Sequence, residues 1–238
     1  MFVVFALFVS AFIKGSMGLG FSTIGLAILA NVIDLKTAIS IVILPSLFSN
    51  ILVMVDAGNF RLSLKTFFWM FFMAAPGMAI GLLLLHQTDG AVSISILAAV
   101  LIFYGVWGLA NQRFKIDDAF IPKMNPVIGF LTGAVNGATG SQIFPIMPYL
   151  LSLNISKDML VQSINVSFTL CSLIMLSSLL YTGTLDTGSI LRYSLGLIPV
   201  AIGIYLGNLV RKKIRDDLFK RLVMVLIIVL GLLLLMPG

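Results

Sequence analysis

Residues 12–25 read FIKGSMGLGFSTIG. Gly15, Gly18 and Gly20 fall within six positions, Lys14 stands in front of them, and apolar sequence lies on both sides. What such a stretch does depends on the solvent around it. In water, glycines ahead of an apolar helix suggest a loop that cradles phosphate. In lipid, they mark a place where the backbone leaves the helix.

Composition points to lipid. The 238-residue chain is 60% hydrophobic and 10% charged, with a mean hydropathy of +1.13, whereas a soluble domain is roughly a quarter charged. Residues 38–55, 66–85, 91–110, 159–185, 193–210 and 222–238 contain no Asp, Glu, Lys, Arg or His. Each run is near or above the roughly 20 residues a helix needs to cross a bilayer core. The chain therefore reads as an all-α polytopic membrane protein, since a barrel would show short alternating segments instead. The N-terminal MFVVFALFVSAF lacks the basic region and cleavage site of a signal peptide. A single cysteine, Cys171, excludes an internal disulfide and a cysteine metal cluster. The net charge of +6 sits between the spans, which suits orientation against a bilayer better than nucleic-acid binding.

The order of motifs is written twice. GSMGLGFSTIG, DLK, AGNFR and PGMAIG in the first half are answered by GAVNGATGSQIFP, NISK, TGTLD and PVAIGIYLG in the second. Gly15 falls against Gly133, Gly20 against Gly140, Lys36 against Lys157 and Gly58 against Gly183, at spacings of 118 to 125. We expect two homologous repeats, residues 1–112 and 124–238, joined by a charged loop at 113–123. Each repeat has a glycine-broken first segment followed by three clean spans. Residues 124–156 carry no ionised side chain over 33 positions, too long for one span and too short for two. Two half-helices turned back at the glycines would fit, for instance 2–13 and 20–31, each about 18 Å long. One long, kinked and tilted helix is the alternative.

Charge favours the turned form. Eight plain crossings divide the loop Lys and Arg residues eight against six. Three crossings plus a hairpin per repeat, with the second repeat inverted, leave only Lys36 and Arg192 on one side and twelve on the other. That asymmetry is what the positive-inside rule expects, and it puts 113–123 and 211–221 in the cytoplasm.

Backbone freed by a break has to be buried in protein or line a wet cavity. Helix N-termini at such a break carry partial positive charge and free N–H donors, which suits anions. Inverted repeats with broken segments meeting at mid-depth are the plan of a secondary transporter. A nucleotide loop is excluded by order, since this stretch reads G-x-x-G-x-G and no Walker pattern occurs. Candidate ligands for a small anion are Ser16, Gly18, Gly20, Ser22 and Thr23 in one repeat and Asn136, Gly137, Thr139, Gly140, Ser141 and Gln142 in the other. Asn50 and Asn165, inside the following spans, are further candidates. Helix packing and capping are competing roles for all of them. Lys14 is the sharpest case, because an ionised lysine within a span is costly and points to function. It either faces a solute path or snorkels to an interface along its alkyl stem.

Gly77 with Gly81, Gly203 with Gly207, and Gly129, Gly133 and Gly137 have the spacing of close helix contacts, within the chain or across a homodimer. Pro76 and Pro199 are expected to kink their spans. The chain contains no glutamate, and every aspartate lies in or beside a predicted loop, so no acidic residue is placed as a buried proton or sodium carrier.

The doubled pattern resembles the sulfite exporter TauE/SafE family of membrane permeases. The resemblance rests on FIKGSMGLGFSTIGLAILANVIDLKTA with AGNFRLS, and on FLTGAVNGATGSQIFPIMPYLLSLNISKDM with TGTLD. It covers essentially the whole chain. It implies transport, often outward, of sulfite, sulfonates or related small anions across the cytoplasmic (inner) membrane, with proton or sodium as a possible coupling ion. Gly25 stands where Pro145 stands in the second repeat, a departure from strict two-fold equivalence. No cofactor is expected. A membrane-integral assembly factor would call for paired cysteines or histidines, an enzyme for a cluster of acids, bases or metal ligands, and a passive channel remains a rival to alternating access.

Overall fold

A computed structural model describes residues 1–17, 20–87, 90–110, 115–211 and 216–236. The described chain is helical: α1 (Phe2–Met17), α2 (Phe21–Leu29), α3 (Leu35–Ala57), α4 (Phe60–Gln87), α5 (Ala91–Leu109), α6 (Ile121–Thr139), α7 (Ile146–Ser152), α8 (Lys157–Tyr181), α9 (Thr187–Ser194), α10 (Leu197–Arg211) and α11 (Asp216–Leu233). Among the described residues five stretches are long and apolar enough to cross a membrane: Leu35–Val55, Phe60–Gln87, Ala91–Leu109, Asp158–Tyr181 and Gly188–Val210. Outward-facing apolar side chains, such as Phe68, Trp69 and Phe72 on α4, fit a lipid surround.

Both glycine breaks are present. Gly20 ends the first at φ 93° and Gly140 ends α6 at φ 72°, the left-handed region where a side chain is disfavoured. The pieces are unequal. α1 extends to Met17, about 24 Å, and α2 is only nine residues, about 14 Å. Gly15 stays helical because α10 needs its bare backbone: a Cβ there would stand 2.3 Å from the Ile204 carbonyl oxygen.

Contacts fix the directions of the helices. Gly196 neighbours both Leu7 and Pro45, and further along Lys14 reaches Ser49 and Asn50, so α1 runs parallel to α3. The chain between them must therefore turn back through α2. On α8, Ser163 meets Ser63 and Ser178 meets His86, so α8 runs parallel to α4. α6 also runs parallel to α4, with Gly129 against Met70 and Gly137 against Met78. Hence α7 turns back between α6 and α8. α10 runs parallel to α1, and α5 runs antiparallel to α11, where Gly231 meets Leu101 and Gly108 meets Met224.

The two broadest helix contacts are α4 with α6 and α1 with α10. Both are glycine seams within the chain. A Cβ at Gly77 would lie 2.1 Å from the Phe130 carbonyl oxygen, and one at Gly207 would lie 2.2 Å from that of Phe12. Backbone against backbone is the usual device where apolar side chains gain nothing by leaving lipid.

The bend marked inside α4 does not fall at Pro76. The non-helical residue inside α4 is Phe67 (φ −113°, ψ 20°), nine residues before Pro76. The cause is a side chain entering the helix ladder: Asn125 Nδ2 donates to the Thr66 carbonyl at 2.9 Å, while its Oδ1 accepts from Tyr149 Oη at 2.7 Å. The span Gly188–Val210 is interrupted as expected of Pro199: α9 ends at Ser194 and α10 starts at Leu197, and Leu195, four residues before the proline, is where its ring and missing N–H disrupt a helix.

Candidate functional site

The two broken hairpins meet each other. Thr23 Oγ1, in the first turn of α2, lies 3.1 Å from Ser141 Oγ, just beyond α6. Gly140 is pressed against Ile39 and Leu26. At this junction lies a cavity of about 10 Å³, lined by Ser22, Ser46, Asn136 and Gln142 with apolar residues of α2, α3 and α8. That is about room for one water. All of its polar lining side chains are buried.

Two of those lining residues, Asn136 and Ser46, have a buried polar atom, Nδ2 and Oγ, with no hydrogen-bond partner among the described residues. An unmet buried polar group costs about 1–3 kcal/mol. Two at one small cavity make it a place where an added oxygen atom would be welcomed.

Beside the cavity is Lys14, 1% exposed, so it does not snorkel. Its Nζ donates to Ser49 Oγ at 3.1 Å, to Asn165 Oδ1 at 3.5 Å, and to Asn50 Oδ1. Among the described residues its partners are all neutral. An ammonium has three N–H donors, and here three acceptors meet them. The network then runs toward the cavity: Asn50 Nδ2 donates to Gln142 Oε1 at 3.5 Å, and Gln142 Nε2 donates to Ser172 Oγ at 2.7 Å. The Asn50–Gln142 link is long for a hydrogen bond. It is the weakest join between the cation and the cavity.

The predicted candidates thus divide. Lys14, Ser22, Thr23, Asn50, Asn136, Gly140, Ser141, Gln142 and Asn165 come together at the junction. Ser16 does not: its hydroxyl donates to the Phe12 carbonyl at 2.9 Å and reaches that of Gly207 at 3.2 Å, on the α1–α10 seam. Gly137 lies on the α4–α6 seam against Gly81 and Met78. Thr139 caps the turn, its Oγ1 accepting from Ser141 N at 3.1 Å. Gly20 supplies the first turn, and Gly18 lies outside the described residues.

Ser46, Ser49 and Ser172 were not singled out from sequence. The signal was present in α3: positions 46, 49 and 50 share one helix face at spacings of three and four. It was hidden because a serine in a membrane span most often bonds its own helix. Ser49 does so too, donating to the Ser46 carbonyl at 2.8 Å.

The family model for sulfite exporter TauE/SafE matches residues 2–234. The chain belongs to the sulfite exporter TauE/SafE family. No curated protein and no solved structure matches it. In this TauE/SafE chain the match takes in both breaks and every residue of the junction. A multi-pass integral membrane protein of a transporter family is what fold and family give together.

Proposed function

We propose that this TauE/SafE protein is a secondary permease for a small sulfur oxyanion or sulfonate, carried by alternating access across the cytoplasmic (inner) membrane. The observation that carries the reading is one juxtaposition. A buried lysine whose partners among the described residues are all neutral stands next to a small cavity lined by Asn136 and Ser46, two residues with polar atoms left unpartnered there. The anion's oxygens accept from Asn136 Nδ2 and the Ser22 and Ser46 hydroxyls, and parting the Asn50–Gln142 link lets Lys14 balance the charge. At about 10 Å³ the cavity is too small for such an anion, so loading requires the two breaks to part.

Helix directions support two inverted repeats. α1 runs opposite to α6, α3 to α8, α4 to α10, and α5 to α11. With these directions Lys36 and Arg192 fall at one end of the bundle, and Arg61, Lys65, Lys115, Lys123 and Lys157 at the other. The richer end is the cytoplasmic one by the positive-inside rule.

The test is counterflow in proteoliposomes. Protein loaded with unlabelled sulfite or a short sulfonate takes up the labelled anion transiently against its gradient, with saturable kinetics. A channel gives no counterflow. No counterflow or binding with any small anion would end the transport reading.

A further inference from the structure

We infer that Lys14 carries a proton with each anion, so that the cycle moves an anion and a proton together. This rests on the permease reading above and adds what drives it. The starting point is the place of Lys14 at the junction of the two breaks. There Lys14 is buried, and among the described residues its partners are Ser49, Asn50 and Asn165, none of them a carboxylate. An ion deep in a membrane protein is tolerated when paired, and otherwise it sheds its charge. The anion itself is the pair in the loaded state. In the empty state there is none, and a permanent ammonium would make the unloaded return the forbidden step.

The groups around Lys14 accept either state. As ammonium it donates to Ser49, Asn50 and Asn165. As amine it keeps two N–H donors for the two amide carbonyls and gains a lone pair. The Ser49 hydroxyl, which now donates to the Ser46 carbonyl at 2.8 Å, turns to donate to that lone pair. Among the described residues no other titratable group touches Nζ. α1 carries none besides Lys14. α2 has none. α3 has Lys36 and Asp56 near its ends, and α10 has an exposed Tyr205 and Arg211 at its terminus. On α8, Lys157, Asp158 and Tyr181 lie at the ends, and the buried Cys171 is not among the partners of Nζ.

The proton balance is simple. On the loading side the Lys14 amine takes one proton from water and the anion enters. On the release side the anion leaves and the ammonium returns one proton to water. A monoanion then moves without net charge.

The experiment uses the whole protein in proteoliposomes with labelled methanesulfonate, a fixed monoanion, and a pH dye in the lumen. With the voltage clamped by potassium and valinomycin, an outside one pH unit more acidic should drive about tenfold accumulation. The lumen should acidify by one proton per anion, with or without sodium. Accumulation that follows voltage or sodium and ignores the pH step overturns the inference, and so does strict exchange with no net flux. In both cases positive counterflow leaves the permease reading standing. Absence of counterflow removes that reading and this inference with it. In Lys14→Arg, whose guanidinium never deprotonates, any remaining counterflow should no longer be matched by pH-driven accumulation. Persistent tenfold accumulation there overturns the role of Lys14. Should that variant not fold, the proton count on the unaltered protein decides.

Discussion

Thr23 and Ser141, 118 residues apart, face each other hydroxyl to hydroxyl at 3.1 Å. Their contact is where the turned segment of one half touches that of the other. Cysteines at both positions should cross-link on mild oxidation, since the two γ atoms already face each other and need close only to the S–S length of about 2.0 Å. The bond should stop anion flux, and reduction should restore it. Full flux in the cross-linked protein would mean that the two segments do not part during transport.

The glycine seams make a second prediction. Gly77→Ala and Gly133→Ala each push a methyl group to 2.1 Å from a backbone carbonyl oxygen, a neighbour that cannot swing aside. Overpacking of this kind costs about 1–3 kcal/mol. Thermal unfolding in detergent should show both variants well below the parent. Gly58→Ala separates the causes: nothing lies within 4 Å of an added Cβ, so its cost comes from the backbone alone, whose φ of 69° and ψ of −164° suit essentially only glycine, about 1–3 kcal/mol.

Lys14→Met separates folding from binding. The methionine fills much of the same space and leaves a neutral surround around an uncharged side chain, so the protein should still fold. The acceptors on Asn50, Asn165 and Ser49 lose their donor, and the anion loses its counter-charge. Losing one partner of a buried charge pair costs about 2–5 kcal/mol. The apparent affinity for sulfite should fall about 30-fold or more, measured by competition in counterflow.

Acid should loosen the start of α3. Asp34 caps that helix, its Oδ1 accepting from Thr37 N at 2.9 Å. Partial burial opposes its ionisation, but hydrogen bonds from Thr37 and from the backbone amides of Asp34 and Lys36 outweigh this and hold its carboxyl below the usual range. A lowered folded pKa contributes stability above the unfolded pKa and loses it as pH falls through the folded value. Melting temperature should therefore lose this contribution only below about pH 4. Asp34→Ala should cost about 1 kcal/mol at neutral pH and blunt that acid-dependent loss.

Topology can be read by labelling. Single cysteines beside Lys36 and Lys157 precede helices that run in opposite directions, α3 and α8. In intact cells a membrane-impermeant thiol reagent should reach the first and not the second. Equal labelling from one side would refute the inverted arrangement.

Much of this was legible in the residues. Gly20 and Gly140 mark turns because no other residue takes a left-handed φ so cheaply. Lys14, Asn50 and Asn165 stood out because polar groups are costly in a span, and the fold gathers them on one nitrogen atom. What sequence could not separate was the purpose of each glycine. Gly15 and Gly137 look like break residues by position, yet both serve backbone contact with another helix. That choice depends on what lies opposite, which no single strand of sequence states. The bend at Phe67 was likewise invisible, because its cause is Asn125, 58 positions away and on another helix.

The seams also bear on how the protein is made. Each joins a helix of the early chain to one of the late chain, α4 to α6 and α1 to α10. While the ribosome has delivered only the first five helices, two grooves floored with naked peptide stand open to the bilayer. The first closes when α6 arrives, just past the middle of the chain, and the second stays open until α10, in the last fifth, so a truncated product is an unfinished mould.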